Sequence, residues 1–283
     1  QNNMHKREII FILFFCFTIH SGFAQKTFPN LELSKNSLNY QGNPMNSTDR
    51  KPLAFSDKGA WFAFGFLESS DVQAGFSGPF LMTEQNGVWL SSSFVSLHLK
   101  DENQQEAINW KTSLVNQNSY NSHLEQQFQN KKLEVKQQLI FASGHSALQK
   151  TTITNRSAKA ITLFPSFNSK IFLDNVQLLK EGQTLKIVST KSKAIGYIQF
   201  LNSKATIEIT KDGYTTQIEK LTLKPNETKE ILISQTFIFP QYSWKEEKEV
   251  LEKIKFNSLL KNTQREKENQ LTQLIAKKKA IYK

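Results

Sequence analysis

Apolar residues crowd into one stretch of the chain, residues 55–99, FSDKGAWFAFGFLESSDVQAGFSGPFLMTEQNGVWLSSSFVSLHL. It holds Trp61, Trp89 and seven phenylalanines: Phe55, Phe62, Phe64, Phe66, Phe76, Phe80 and Phe94. Ala60, Phe62, Phe64 and Phe66 fall on one side of an extended strand, and Trp61, Ala63, Gly65 and Leu67 on the other. Both sides are apolar, which predicts a strand buried on both faces. Turn residues bound it, Asp57-Lys58-Gly59 before and Glu68-Ser69-Ser70-Asp71 after. Gly75-Phe76-Ser77-Gly78-Pro79 reads as a second break, and residues 80–83 and 88–99 as strands around the hairpin signal Gln85-Asn86-Gly87.

Elsewhere the apolar residues are spaced more thinly. Residues 25–50, rich in Asn, Ser and Pro, should be mostly irregular and wrap across the outside. Residues 107–115, with Trp110, are expected to form a strand, and residues 116–122 a polar break. From residue 124 to 239 short alternating runs recur. Leu133, Val135, Gln137, Leu139 and Phe141 share a face, and so do Leu148, Lys150, Thr152 and Thr154, opposite Ile153. Residues 161–167, 185–189, 195–201, 205–210, 214–223 and 229–239 continue the series, with turns at Asn155-Arg156-Ser157, Asp212-Gly213 and Lys224-Pro225-Asn226-Glu227. More than ten short strands predict a large antiparallel β-sandwich, a mainly β fold. After Pro240 the period becomes helical. Ser243-Trp244-Lys245-Glu246 fits a capping box ahead of Val250, Leu251 and Ile254, and Thr263-Gln264-Arg265-Glu266 fits a second ahead of Leu271, Leu274 and Ile275. Two C-terminal helices are expected, each with a narrow apolar stripe that needs a neighbour to cover it.

The order Asp57, Gly59-Ala60-Trp61, a short acidic loop, Gly75-Phe76-Ser77-Gly78-Pro79, Leu81-Met82-Thr83-Glu84 and an aromatic strand resembles the N-terminal domain of bacterial glycoside hydrolases of family sixty-three. The motif match covers residues 43–99; beyond it only the strand pattern and the helical exit correspond. The resemblance implies a supersandwich-like domain preceding an (α/α)6 catalytic barrel, with helices leading from one to the other. Twelve barrel helices of about 11 residues with connections of about 5 need roughly 200 residues, and 43 follow Pro240. The catalytic barrel, and the general acid and base it would carry, are therefore expected to be missing here.

The N-terminal residues bear on compartment. Lys6 and Arg7, an apolar run over residues 9–19, and the small-x-small Gly22-Phe23-Ala24 describe a signal peptide cut before Gln25. The apolar run is shorter than the roughly 20 residues of a membrane span. Gln1-Asn2-Asn3 ahead of Met4 suggests a gene fragment or a misplaced start. The expected division is a signal peptide at 1–24, a β-sandwich at 25–240 and linker helices at 241–283, in an exported protein of the periplasm or the extracellular space. Cys16 is the one cysteine and lies in the signal, which leaves no disulfide framework.

The formal charge is +11, or +10 without residues 1–24, and half of that lies beyond Pro240. With no aromatic-basic repeat, nucleic acid is not an expected partner. His98, His123 and His145 lack metal-ligand spacing. Gly75-Phe76-Ser77-Gly78-Pro79 resembles a nucleophile elbow whose final glycine is replaced by proline, with no triad partner in view. No phosphate loop or dinucleotide fingerprint occurs, so neither metal nor cofactor is expected.

Glycoside hydrolysis needs two carboxyls about 5 to 10 Å apart, and no such pair can be nominated as catalytic. Asp57, Glu68, Asp71 and Glu84 sit at turns where side chains could converge on a sugar; the competing reading is turn capping for the aspartates and solvent exposure for Glu84. Trp61 and Trp89 could stack on a pyranose ring, against which stands core packing, the favoured reading. Trp110 and Trp244 have no distinguishing context. Asp57, Trp61, Phe76, Glu84 and Trp89 are the candidate substrate-binding residues. The expected function is the non-catalytic N-terminal domain of an exported, α-glucosidase-like glycoside hydrolase, buttressing the barrel and lining a sugar cleft through loops near residues 75–79. The alternative is a free-standing carbohydrate-binding or structural surface module.

Overall fold

The computed structural model describes residues 27–68 and 72–281; the expected signal peptide with Cys16, and Ser69, Ser70 and Asp71, lie outside the described residues. After a short helix, α1 (Pro29–Leu33), come strands β1 (Phe62–Phe66), β2 (Phe76–Leu81), β3 (Val88–Trp89) and β4 (Ser96–Lys100). A single-turn helix α2 (Trp110–Ser113) leads into β5 (Leu114–Ser119), β6 (Leu124–Gln129), β7 (Leu133–Phe141), β8 (Ser146–Asn155) and β9 (Ile161–Lys170). Then follow β10 (Val176–Glu181), β11 (Thr184–Ser189), β12 (Ile195–Phe200), β13 (Ala205–Thr210), β14 (Gly213–Ile218), β15 (Leu221–Leu223) and β16 (Thr228–Ile238). Helices α3 (Trp244–Lys253) and α4 (Phe256–Ile281) complete the described chain.

One broad antiparallel sheet runs β10-β11-β12-β16-β8-β7-β6-β5. Facing it are a three-stranded sheet, β1-β2-β3, and a five-stranded sheet in which β9 pairs with β14, β15 and β4. Rings from the two layers meet between them. Phe62 of β1 lies 5.3 Å from Phe141 and 5.1 Å from Phe237, and Phe167 of β9 lies 5.7 Å from Phe200 of β12. The two-sided strand read from the sequence is β1, all five of whose residues are buried. Its Phe64 and Phe66 join Phe62 in the core. The edge of β1 not used by β2 is covered by the N-terminal segment. Phe55 and Phe64 exchange backbone hydrogen bonds there, and the Phe66 amide donates to the Tyr40 carbonyl. A β-carbon at Gly65 would lie 2.7 Å from the carbonyl oxygens of both Leu53 and Tyr40, so glycine permits that close wrap.

The core is not wholly apolar. Gln117, Gln126 and Gln137 on β5, β6 and β7 hydrogen-bond in series, and Gln137 continues to Thr151 of β8. Gln126, Gln137 and Gln149 also donate to the carbonyls of Gly75, Ala74 and Val95 in the facing layer. A buried amide left unpaired costs about 1–3 kcal/mol; here the side chains satisfy one another and tie the layers together.

Three local expectations are corrected. Residues 107–115 do not form a strand: the Asn109 side chain accepts from the Thr112 amide and caps α2, with Trp110 folded against Phe128. The expected polar break at 116–122 is largely β5, whose amide side chains pair across the sheet. The box at Thr263–Glu266 starts no helix, because α4 already begins at Phe256 and buries Thr263. The Ser243 cap does form, its side chain accepting from the Glu246 amide.

The C-terminal helices fold back on the broad sheet. Leu251 and Phe256 cover Ile140 and Leu148 on its outer face, and Trp244 stacks on Tyr197 at 4.0 Å. The Lys150 ammonium, almost buried, pairs with Glu230 and donates to Asn257 while lying over the Phe256 ring. Further along α4, Glu268 accepts from the Asn30 and Leu31 amides at the start of α1. Thus α4 clasps the N-terminal segment to the sandwich.

Candidate functional site

Three stretches distant in sequence enclose a hollow of about 450 Å³: Lys58, Gly59 and Trp61; Gly144 and His145; and Phe239, Gln241 and Tyr242, with Met82 alongside. The first wall follows from turn chemistry. Lys58 and Gly59 both have positive φ, 54° and 71°, and the Ala60 amide closes the turn on the Asp57 carbonyl. The chain re-enters the sheet with Ala60 and Phe62 facing inward, which leaves Trp61 outside, 58% exposed. Core packing is therefore the wrong reading for Trp61. Its indole meets Phe239 edge-on at 6.5 Å, and His145 lies against Tyr242 at 4.2 Å.

Both lips of the hollow are fastened to the C-terminal helices. Lys267 of α4 pairs with Asp57 at 2.7 Å, and Glu266 faces Lys58 at 3.7 Å. On the other lip the Ser143 hydroxyl donates to Glu247 of α3 at 2.6 Å while accepting from the amides of His145 and Ser146. The lips touch: a β-carbon on Gly144 would lie 3.1 Å from the Lys58 carbonyl oxygen.

The structure scatters the residues chosen from the sequence. Only Trp61 reaches the hollow. Asp57 stands behind its rim, mostly buried, with one carboxylate oxygen on Lys267 and the other buried without a hydrogen bond. Phe76 is buried against Phe66, and Trp89 is buried against Phe80 with its indole N–H on the Asp49 carbonyl. Neither ring can face a solvent-borne sugar. Glu84 does not simply face solvent: it accepts from Asn175 and from Ser189, bridging the two layers. Glu68 is exposed, with its amide on Asn43. Residues 75–79 form no cleft wall, since β2 is paired on both edges and Phe76, Ser77, Gly78 and Pro79 are all buried. His145, Phe239, Gln241 and Tyr242 escaped sequence reading, because nothing along the chain links positions 58–61, 144–145 and 239–242.

A second polar cluster lies between β5 and β6. Ser122 Oγ is 2.8 Å from His123 Nδ1, and His123 Nε2 is 3.9 Å from Glu125, whose carboxylate also holds Lys136 and Gln138. Burial pushes the Glu125 pKa up, but the hydrogen bonds and positive charges of His123 and Lys136 outweigh it and hold the carboxyl at about 2. Tyr120, stacked on His123, is pushed up to about 12 by burial and by the charges of Glu32 and Glu125. Ser122 and His123 are wholly buried, so the group supports the turn and offers no nucleophile to solvent. Among the described residues no cluster of three or more His, Cys, Asp and Glu side chains could hold a metal, and no helix is long and apolar enough to cross a membrane.

Residues 42–171 match the family model described as "Glucosidase YgjK, N-terminal". No curated protein matches the sequence. Among solved structures, a candidate kojibiose phosphorylase from human microbiome is 10% identical, with 74% of this chain and 34% of that chain covered at a TM-score of 0.49. A galactose mutarotase-like protein from Lactobacillus casei is 8% identical over 66% of this chain and 99% of that one, with a TM-score of 0.41. Heparan sulfate lyase HepC from Pedobacter heparinus is 14% identical over 52% and 24%, with a TM-score of 0.35. The chain thus spans about a third of the length of the first of these. The motif resemblance at Asp57, Gly59-Ala60-Trp61 and residues 75–84 falls inside the matched segment, and residues 42–171 of this chain are similar to a glucosidase N-terminal domain.

Proposed function

We propose that this chain is the exported, non-catalytic β-sandwich of a glycoside hydrolase that acts on glucosidic links in oligosaccharides, supporting a helical catalytic domain. The observation that carries this reading is the family match over residues 42–171. The state of the carboxylates supports it. Asp57 and Glu84 are occupied by structural partners, and the hollow around Trp61 has no Asp or Glu in its lining. Asp49, beside another hollow, is held low by the backbone amides of Lys51 and Met45, the opposite of what a general acid needs. Export to the periplasm or beyond rests on the signal-like residues 4–24, and predicts a mature N-terminus at Gln25.

The purified chain, offered glucosidic disaccharides, is expected to release no sugar. Turnover abolished by Asp57→Asn or Glu84→Gln would overturn the non-catalytic assignment. A free-standing carbohydrate-binding module is the second reading, favoured by the exposure of Trp61. A flat row of aromatics is not its basis, because Trp89 and Trp110 are buried.

A further inference from the structure

We propose that the hollow around Trp61 is a carbohydrate-binding subsite for a neutral pyranose unit, built entirely from this chain's own residues. The inference rests on the glycosidase reading for the choice of a sugar and on the hollow itself for the rest. At about 450 Å³ it falls in the range of small-ligand sites, roughly 300 to 1,000 Å³. Trp61 offers an apolar face at 58% exposure and Tyr242 at 51%, and such faces take the C–H side of a flat ring. Between them, His145, Gln241 and the Tyr242 hydroxyl supply donors and acceptors of the kind that select hydroxyl groups.

Charge narrows the ligand class. The hollow's lining contains no carboxylate to attract a cation, and its one fixed cation, Lys58, already faces Glu266. A neutral ligand remains. The site is also held in shape without a ligand, because Asp57–Lys267 sets one lip and Ser143–Glu247 the other. The two helices that clasp the sandwich therefore position the subsite as well.

The test is isothermal titration of the full chain with maltotetraose, and separately with an oligogalacturonate of the same length, alongside tryptophan fluorescence. The expected result is saturable binding of maltotetraose with a change in Trp61 emission. Trp61→Ala should weaken binding by about tenfold or more, while Trp61→Phe retains most of it. Because Trp61 is exposed, the variants should melt with the wild type, and melting curves check this. Absence of saturation at about 10 mM, well above a millimolar Kd, would overturn the subsite while leaving the glycosidase-domain reading intact. Binding indifferent to Trp61→Ala would place the site elsewhere and overturn it too. Tighter binding of the oligogalacturonate would overturn the neutral class. Hydrolysis of maltotetraose by the chain, by contrast, would contradict the non-catalytic reading without touching the subsite.

Discussion

Phe62 is wholly buried and touches rings from two interior strands of the broad sheet, Phe141 on β7 and Phe237 on β16, which flank β8. Truncating such a side chain loses its transfer free energy and leaves a cavity that rigid strands fill poorly. Phe62→Ala is expected to lower unfolding free energy by about 3–5 kcal/mol, measured as a fall in the urea midpoint at unchanged slope. Glu125 gives a residue-scale prediction in pH. Its folded pKa is depressed from 4.5 to about 2, so its contribution is complete above pH 4.5 and is lost as pH falls through about 2. With partial solvent screening this amounts to roughly 2 kcal/mol. Glu125→Gln should flatten the stability profile in that window, read from urea midpoints at successive pH values. The character of Phe62 was legible because its neighbours alternate without a polar face. The exposure of Trp61 was not, because it depends on two successive positive-φ residues, of which Lys58 gives no warning in its side chain.

At the scale of elements, legibility followed the chemistry that holds each one. Strands stapled by apolar alternation, such as β7, β8 and β12, were readable. Strand β5, with the sequence Leu-Val-Asn-Gln-Asn-Ser, was not, since its Gln117 joins the other strands through amide hydrogen bonds that hydropathy does not register. The false start at Thr263 has a similar origin: a Thr followed three residues on by Glu also fits the interior of a long helix whose neighbour buries the Thr. The expectation that the terminal helices need cover was sound for Leu251, which the sheet covers, while Val250, Leu274 and Ile275 remain exposed. Leu251→Ala should cost about 2–5 kcal/mol locally and release α3 and α4 from the sheet. Limited proteolysis should then cut near residues 254–256 faster than in the wild type, with the sandwich strands still resistant. Equal loss of resistance throughout would mean that helices and sheets unfold as one.

The whole molecule is a two-layered β body organised around β1, with two helices strapped across its outer face and both lips of the Trp61 hollow fixed to those helices. The supporting role proposed for this chain would use such a division: a stiff body that holds its shape and an exit that can engage something else. The buried glutamine series serves the body, because Gln126, Gln137 and Gln149 bond carbonyls of the facing layer and penalise any sliding between them. The most direct test of this organisation is native-state hydrogen exchange, residue by residue. Amides of β1, β7, β8 and β16 are expected to exchange only through global unfolding, at one common free energy, with the exposed end of α4 opening well below it. Amides of β1 exchanging in a separate, less stable class than the broad sheet would contradict the account.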